Sequence, residues 1–289
     1  MSWQYSSLPD LSDEEFVEWR SLLEDRTGIS FEKHKRILQT GLVQRMQEIG
    51  CKSYREYYNN VRFDKGGDIE WTALLRTLTV KETRFFRDPD AIEFVRSYLF
   101  RQMVSGKHQG PLEIWSVASS TGEEPYSLAM VANDCIEGLG IDKYFGITAT
   151  DICISSLAIA RKGIYQDRRL ETLDKPVRDR YFEPSGDSRS AVVAWLRQRV
   201  CFVQANIIDL GNLPIGNMDV VYCQNVLVYF KRWRQKMVLD QLVERLKPGG
   251  LLVVGMGEAV DWENSSVVRV KHQAVQAYVK NSQDDTGHS

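Results

Sequence analysis

A doubly wound, Rossmann-like α/β domain behind a small all-helical domain is what the sequence predicts, and three observations predict it. Up to residue 78 the apolar residues recur at helical spacing, and no strand-like alternation appears before about residue 110. From residue 112 onward, short apolar runs alternate with helical stretches, the pattern of a parallel sheet covered on both faces. The length of 289 residues suits two domains, or one large domain with an appendage. The expected division is residues 1–78 and 79–289.

In the first domain, Ser12 precedes Glu15 at capping-box spacing, and Phe16, Trp19, Leu22 and Leu23 follow along one helix that Thr27-Gly28 ends. Leu38, Leu42, Met46 and Ile49 predict a second helix over 31–49, stopped by Gly50. Tyr54, Tyr57, Tyr58 and Val61 predict a third; Trp71, Leu74, Leu75 and Leu78 predict a fourth. In the second domain, Leu112 to Ala118 and Tyr144 to Thr150 read as strands, each followed by a helix, Pro125 to Ile136 and Ile154 to Arg161. Val200 to Val203, Met218 to Tyr222 and Leu251 to Gly255 are further strands, with a helix from Arg234 to Leu246 before the last. Residues 267–279 are expected to add two strands at one edge. Residues 163–199 interrupt this rhythm with a polar segment and a turn at Glu183-Pro-Ser-Gly-Asp187, longer than such folds use for a connection. They are expected to form a small inserted subdomain.

Composition excludes several classes. No apolar run approaches the roughly 20 residues of a membrane span, and the N-terminus lacks a secretion signal, so a cytoplasmic protein with no membrane insertion is expected. Cysteines 51, 135, 153, 201 and 223 form no CxxC pair and are expected to be buried, reduced thiols. The four histidines have no metal-binding spacing, so no metal is expected. A net charge of −2 lacks the basic excess of a nucleic-acid binder, and no nucleic-acid partner is expected. That near-zero charge averages two unlike segments: residues 1–30 carry seven acids against two bases, and residues 31–62 carry seven bases against three acids.

Ligands of open α/β sheets bind at the carboxyl ends of the strands, beginning with the first strand-to-helix turn. Here that turn reads Ser116-Val-Ala-Ser-Ser-Thr-Gly-Glu-Glu-Pro125. The GxGxxG fingerprint is absent, and two carboxylates stand where a helix N-terminus would otherwise greet a phosphate. Such a turn repels pyrophosphate and welcomes an ammonium or sulfonium centre, as in S-adenosylmethionine. One of the two acids, Glu124, is expected to serve the helix dipole, which leaves Glu123 for the ligand. Asp151, at the end of the second strand, is placed either to hold ribose hydroxyls or to cap the following helix.

Three strings, Thr83-Arg-Phe-Phe-Arg-Asp88, Ser119-Ser-Thr-Gly-Glu-Glu-Pro-Tyr-Ser127 and Cys223-Gln-Asn-Val-Leu-Val-Tyr-Phe230, resemble in order and spacing the CheR family. These are bacterial enzymes that esterify glutamate side chains of chemotaxis receptors using S-adenosylmethionine. The resemblance spans about residues 12–280 and implies a class I methyltransferase domain. It implies cofactor contacts at Lys81, Thr83, Arg87, Glu123, Asp151, Asn206, Ile207, Gln224 and Asn225, with Arg87 and Tyr229 near the transferred methyl. Relatives often carry asparagine in place of Lys81, arginine in place of Gln224, and a glycine-histidine-serine-glutamate string in place of Gly255-Met-Gly-Glu258. These departures bear on cofactor contacts and remove nothing the chemistry needs.

The resemblance further implies a partner, the cytoplasmic helical domain of membrane chemoreceptors, in flagellar or type IV pilus signalling, and S-adenosylhomocysteine as product. A glutamate carboxylate, with an ordinary pKa of about 4.3, is already ionised and needs no general base. Arg87 and Tyr229 are then orienting hydrogen-bond donors. The basic segment 31–62 and the arginines of 163–199 are candidate docking surfaces, and a monomer is expected. The competing expectation is a non-catalytic adaptor that binds S-adenosylmethionine as a signal.

Overall fold

The computed structural model describes residues 10–79, 82–106, 110–211 and 213–282. The chain divides into two compact units, Met1–Val80 and Lys81–Ser289.

The first unit is helical: α1 Asp13–Thr27, α2 Lys35–Ile49, α3 Tyr54–Phe63 and α4 Gly67–Leu78. The Ser12 hydroxyl accepts from the Glu15 amide while the Glu15 carboxylate accepts from the Ser12 amide, and Gly28 closes α1 in the left-handed region at φ 78°. The second helix starts at Lys35, later than its apolar spacing predicts, because residues 31–34 form a turn and His34 offers no side-chain cap. Trp19 is fully buried, with Tyr57 and Tyr58 each 5.2 Å away ring to ring. The acidic first segment and the basic second one partly neutralise each other. Lys35 meets Asp13 at 2.6 Å and Arg55 meets Glu18 at 3.0 Å, while Arg45 is taken by Glu70 at 2.7 Å.

The second unit opens with α5, Pro89–Val104, a helix missing from the sequence-based expectation. Its signal was present: Asp88 caps the Ala91 amide and Pro89 occupies the first turn, where its missing N–H costs nothing. The elements then run β1 Leu112–Val117, α6 Glu123–Gly138, β2 Phe145–Asp151 and α7 Ile154–Lys162. Next come β3 Ile164–Gln166, α8 Lys175–Tyr181, β4 Phe182–Pro184, β5 Arg189–Val192 and α9 Ala194–Arg197. The last are β6 Val200–Gln204, β7 Met218–Cys223, α10 Arg232–Glu244, β8 Leu246–Val254, β9 Val267–Arg269 and β10 Gln276–Lys280.

Among the described residues, seven strands form one sheet in the order β6-β2-β1-β7-β8-β10-β9, parallel except that β10 runs antiparallel to β8 and to β9. Neighbouring strand residues alternate between two cores. Ile114, Val220 and Leu251 pack with α5, α6 and α7; Trp115, Val221 and Leu252 pack with α10. Strand β8 begins at Leu246, before the Pro-Gly-Gly string, with a register shift against β7 at Met218/Val220. Gly250 permits this: a Cβ there would lie 2.9 Å from the carbonyl oxygens of Lys247 and Met218.

Residues 163–199 hold a three-stranded antiparallel sheet, β3-β5-β4, with short helices. Four cysteines are buried; Cys201, on edge strand β6, is exposed, contrary to expectation, because its side chain points off the covered face. Among the described residues no helix is long and apolar enough to cross a membrane.

Candidate active site

Strand order reverses between β1 and β7, since β2 lies on one side of β1 and β7 on the other. Crevices in such sheets open at this point, beyond the carboxyl ends of the strands. Five carboxyl-end segments gather there, following β1, β2, β6, β7 and β8.

The turn after β1 is tightly bent. Ala118, Ser120 and Gly122 all have positive φ, at 59°, 49° and 98°. Only glycine fits at 122, because a Cβ would lie 2.8 Å from the Ala160 Cβ and 2.9 Å from the Tyr165 hydroxyl. The same hydroxyl donates to the Thr121 carbonyl at 2.8 Å, so the inserted subdomain braces the turn. Ser119 and Ser120 carry buried hydroxyls with no hydrogen-bond partner in the protein. Buried polar groups are normally paired, so two unpaired hydroxyls on one turn suit a ligand that supplies the partners.

The two adjacent acids separate. Glu123 is completely buried, and its carboxylate accepts from the Thr121 hydroxyl at 2.6 Å and is ion-paired to Arg169 of the insertion. Burial pushes its pKa upward, with the hydrogen bonds and Arg169 pulling the other way. Glu124 instead accepts from the Ser116 hydroxyl at 2.7 Å, at the end of β1. Burial pushes its carboxyl up to about 8; Ser116 and the Arg87 guanidinium oppose that rise, and the neighbouring acids Glu258 and Asp151 add to it. The two adjacent acids therefore have different partners. Glu123 is committed to intramolecular partners, and Glu124 stands among Arg87, Asp151 and Glu258.

Asp151 bonds to the backbone of two turns. Its carboxylate accepts from the Ser120 amide at 2.8 Å and from the Cys153 amide, at the start of α7, at 2.8 Å. It locks the β1 turn to the β2 turn and points its acidic edge at both. After β6, the Asn206 side chain accepts from the Ile208 amide at 3.3 Å, holding Asn206 and half-buried Ile207 in a local turn.

Thr83 and Arg87 lie on the segment before α5. Phe85 anchors that segment in the insertion, edge-on to Tyr165 at 5.1 Å and Phe182 at 5.3 Å. The Phe86 amide donates to the Ser127 hydroxyl at 3.0 Å, and the Arg87 guanidinium donates to the Glu82 carbonyl at 2.7 Å. Lys81 lies outside the described residues.

The segment after β7 carries buried Gln224, exposed Asn225 at φ 59°, and a 3₁₀ turn, Leu227–Tyr229. Its shape depends on Glu258, the last residue of the Gly255-Met-Gly-Glu258 string. This buried carboxylate accepts from the Asn225 and Gly255 amides, each at 2.9 Å, and from the Val228 amide at 3.2 Å. Burial raises its pKa and the backbone donors counter it. Gly255 is required beside it, since a Cβ there would lie 2.2 Å from a Glu258 carboxylate oxygen. Half-buried Tyr229 is raised first by burial and lowered by Arg87, which puts those two side chains in one electrostatic neighbourhood.

The structure therefore brings Arg87, Glu124, Asp151, Asn225 and Tyr229 to one end of the sheet. Arg169 and Glu258 went unnoticed as site-builders because each acts across a long stretch of sequence. A crevice with two adjacent acids, a strand-end aspartate and partnerless serine hydroxyls fits a nucleoside that also carries a cation.

Comparison with known proteins agrees with that chemistry. The all-alpha domain of CheR methyltransferases matches residues 14–79, and their SAM binding domain matches residues 81–277. Chemotaxis protein methyltransferase 2 of Pseudomonas aeruginosa is 34% identical over 250 residues, covering 85% of this chain and 86% of its own. Chemotaxis protein methyltransferase 2 of Vibrio cholerae is 31% identical over 266 residues, covering 90% of each chain. The chemotaxis protein methyltransferase of Escherichia coli is 32% identical over 257 residues, covering 86% of this chain and 85% of its own. With both its helical and its α/β parts matched, the chain belongs to the CheR family and is an S-adenosylmethionine-dependent methyltransferase.

Proposed function

We propose that this enzyme esterifies glutamate side chains on the cytoplasmic helical domain of chemoreceptors. The observation that carries the reading is the gathering at one sheet end of an acid, Glu124, and two hydrogen-bond donors, Arg87 and Tyr229, whose charges act on one another. The names of the relatives place their activity in chemotaxis. In this reading residues 1–78 are a helical domain and 79–289 the catalytic domain, with 163–199 as its inserted subdomain.

S-adenosylmethionine, when bound, supplies a methyl group on a cationic sulfur. The cationic methionine portion meets the pair of adjacent acids, Glu123 by the family resemblance and Glu124 by its neighbourhood of Arg87, Asp151 and Glu258. Asp151 and the Ser119 and Ser120 hydroxyls face the ribose side. Thr83, Asn206, Ile207, Gln224 and Asn225 line the rest of the nucleoside crevice. Arg87 and Tyr229 hold the substrate carboxylate by hydrogen bonds, so its approach is preorganised. Neither gives up or takes a proton during transfer, because a glutamate with a pKa of about 4.3 arrives ionised. The opposite charges of carboxylate and sulfonium cancel during transfer, so the donors must orient the carboxylate without over-stabilising it. The raised pKa of Tyr229 keeps its hydroxyl a donor throughout the neutral range.

The test is transfer of isotopically labelled methyl to receptor-enriched membranes, read as base-labile methyl ester. Wild-type enzyme is expected to label receptors. Arg87→Ala is expected to lose roughly 100-fold in kcat/KM and Tyr229→Phe roughly tenfold, with thermal melting unchanged. Stoichiometric cofactor binding with no transfer would favour the adaptor; wild-type turnover in both variants would remove the two residues from the mechanism. Running flagellar and pilus-associated receptors side by side separates the pathways.

A further inference from the structure

The N-terminal half of α10 breaks a local rule. A helix N-terminus favours acids and side-chain acceptors, yet the N-cap position of α10 is Lys231, which makes no side-chain capping bond to the helix, and no acid occurs in its first turn. The stretch 223–239 contains four cations, Lys231, Arg232, Arg234 and Lys236, and no acid, in a chain of net charge −2. Local rules of this kind are broken at functional or strained sites, so the exposed pattern of the helix decides between them.

The exposed side of the helix has a definite pattern. Val238, Leu239, Leu242 and Val243 are buried against the sheet. Arg232 and Lys236 form one exposed row at i,i+4 spacing, and Trp233 and Met237 form a second row beside it. Trp233 is 56% exposed, with the Arg234 guanidinium stacked 4.6 Å over its ring. Two further exposed apolar residues lie on the segments that build the site. Val228, directly before Tyr229, is 61% exposed, and Met256 is 59% exposed. These two belong to segments that Glu258 binds together through the Val228 and Gly255 amides. The Arg232 guanidinium also reaches the Val260 carbonyl at 3.5 Å. A cationic row beside an apolar row is the complement of a helix bearing glutamates on one side and apolar residues on the next.

We propose that this face of α10, continued by Val228 and Met256, docks an acidic amphipathic helix of the protein substrate, the one that presents the target glutamate. The proposal rests on the carboxylate-methylation reading above. Arg232 and Lys236 hold glutamates flanking the target, Trp233 and Met237 take the apolar row, and the target reaches past Val228 toward Tyr229.

The experiment uses full-length enzyme and a purified chemoreceptor cytoplasmic fragment as probe. It compares wild type with Arg232→Glu/Lys236→Glu, and with Trp233→Ala as an independent variant. The charge variant is expected to lower kcat/KM at least about tenfold through KM and to flatten its salt dependence. Its affinity for S-adenosylhomocysteine should change less than about twofold, and its Tm should hold or rise, because acids suit a helix N-terminus. Trp233→Ala is expected to raise KM about tenfold with kcat retained. Wild-type KM in both variants overturns the docking face while leaving the methyltransferase reading intact. Wild-type enzyme that methylates no receptor fragment overturns that reading, and the docking face with it.

Discussion

The two turns that frame the site, after β1 and after β7, are built in opposite ways. The β1 turn is sealed: Gly122 touches Ala160 and Tyr165, Thr121 is bonded by Tyr165, and Glu123 is paired with Arg169. The β7 turn is open: Asn225 and Val228 face solvent, and a single buried carboxylate, Glu258, holds its backbone through three amides. A small ligand must be gripped with little reorganisation, which asks for a rigid wall. A protein substrate must come and go, which asks for an exposed rim. In the proposed reading the sealed turn grips the small ligand, while the open one, whose Gln224 and Asn225 also line the nucleoside crevice, offers its exposed rim to the macromolecule.

The most severe way to break the sealed side is Gly122→Ala. The added Cβ meets Ala160 and Tyr165 at a φ of 98°, so a loss of about 2–5 kcal/mol in stability is expected, with cofactor binding abolished. Thermal melting and an isotherm check it; an unshifted Tm would mean that the turn relaxes freely. On the open side, Glu258→Gln conserves shape but turns one acceptor into a donor that faces backbone N–H groups. The expected cost is about 1–3 kcal/mol, with methyl transfer down roughly tenfold or more as Tyr229 loses its position. Wild-type melting and turnover would show that the β7 turn holds its shape without this acid.

The mildest perturbation is pH. Burial pushes the Glu124 carboxyl up to about 8. If a cofactor cation binds its ionised form, affinity must strengthen as pH rises toward 8, by up to about tenfold per unit, and a proton must be released. Glu124→Gln should abolish that slope; a slope that survives would return the cation to Glu123. The same shift acts on stability with the opposite sense. A carboxyl whose pKa is raised on folding stabilises most at low pH, and its contribution falls as pH climbs from about 4.5 to about 8.

Much of the fold was legible because it is local. The alternation of β1, β2, β6 and β7 and the Ser12 capping box are patterns of neighbours. The helix α5 was legible at Asp88-Pro89 and went unread. Glu123 and Glu124 could not be ranked in advance, because successive helix residues point about 100° apart and only packing decides which is sealed. Arg169 and Glu258 reach the site from 46 residues beyond Glu123 and 33 beyond Asn225, distances over which sequence pattern says nothing. The early start of β8 depends on the close approach that Gly250 allows to Met218, again a tertiary fact.

The central claim, that a substrate carboxylate accepts the methyl at this sheet end, is tested most directly by mass spectrometry of receptor peptides after reaction with wild-type enzyme and S-adenosylmethionine. The account predicts a gain of one methylene on glutamate side chains, reversed by mild base and missing from the Arg87→Ala reaction. A base-stable methyl on lysine, asparagine or a terminal amine would contradict it.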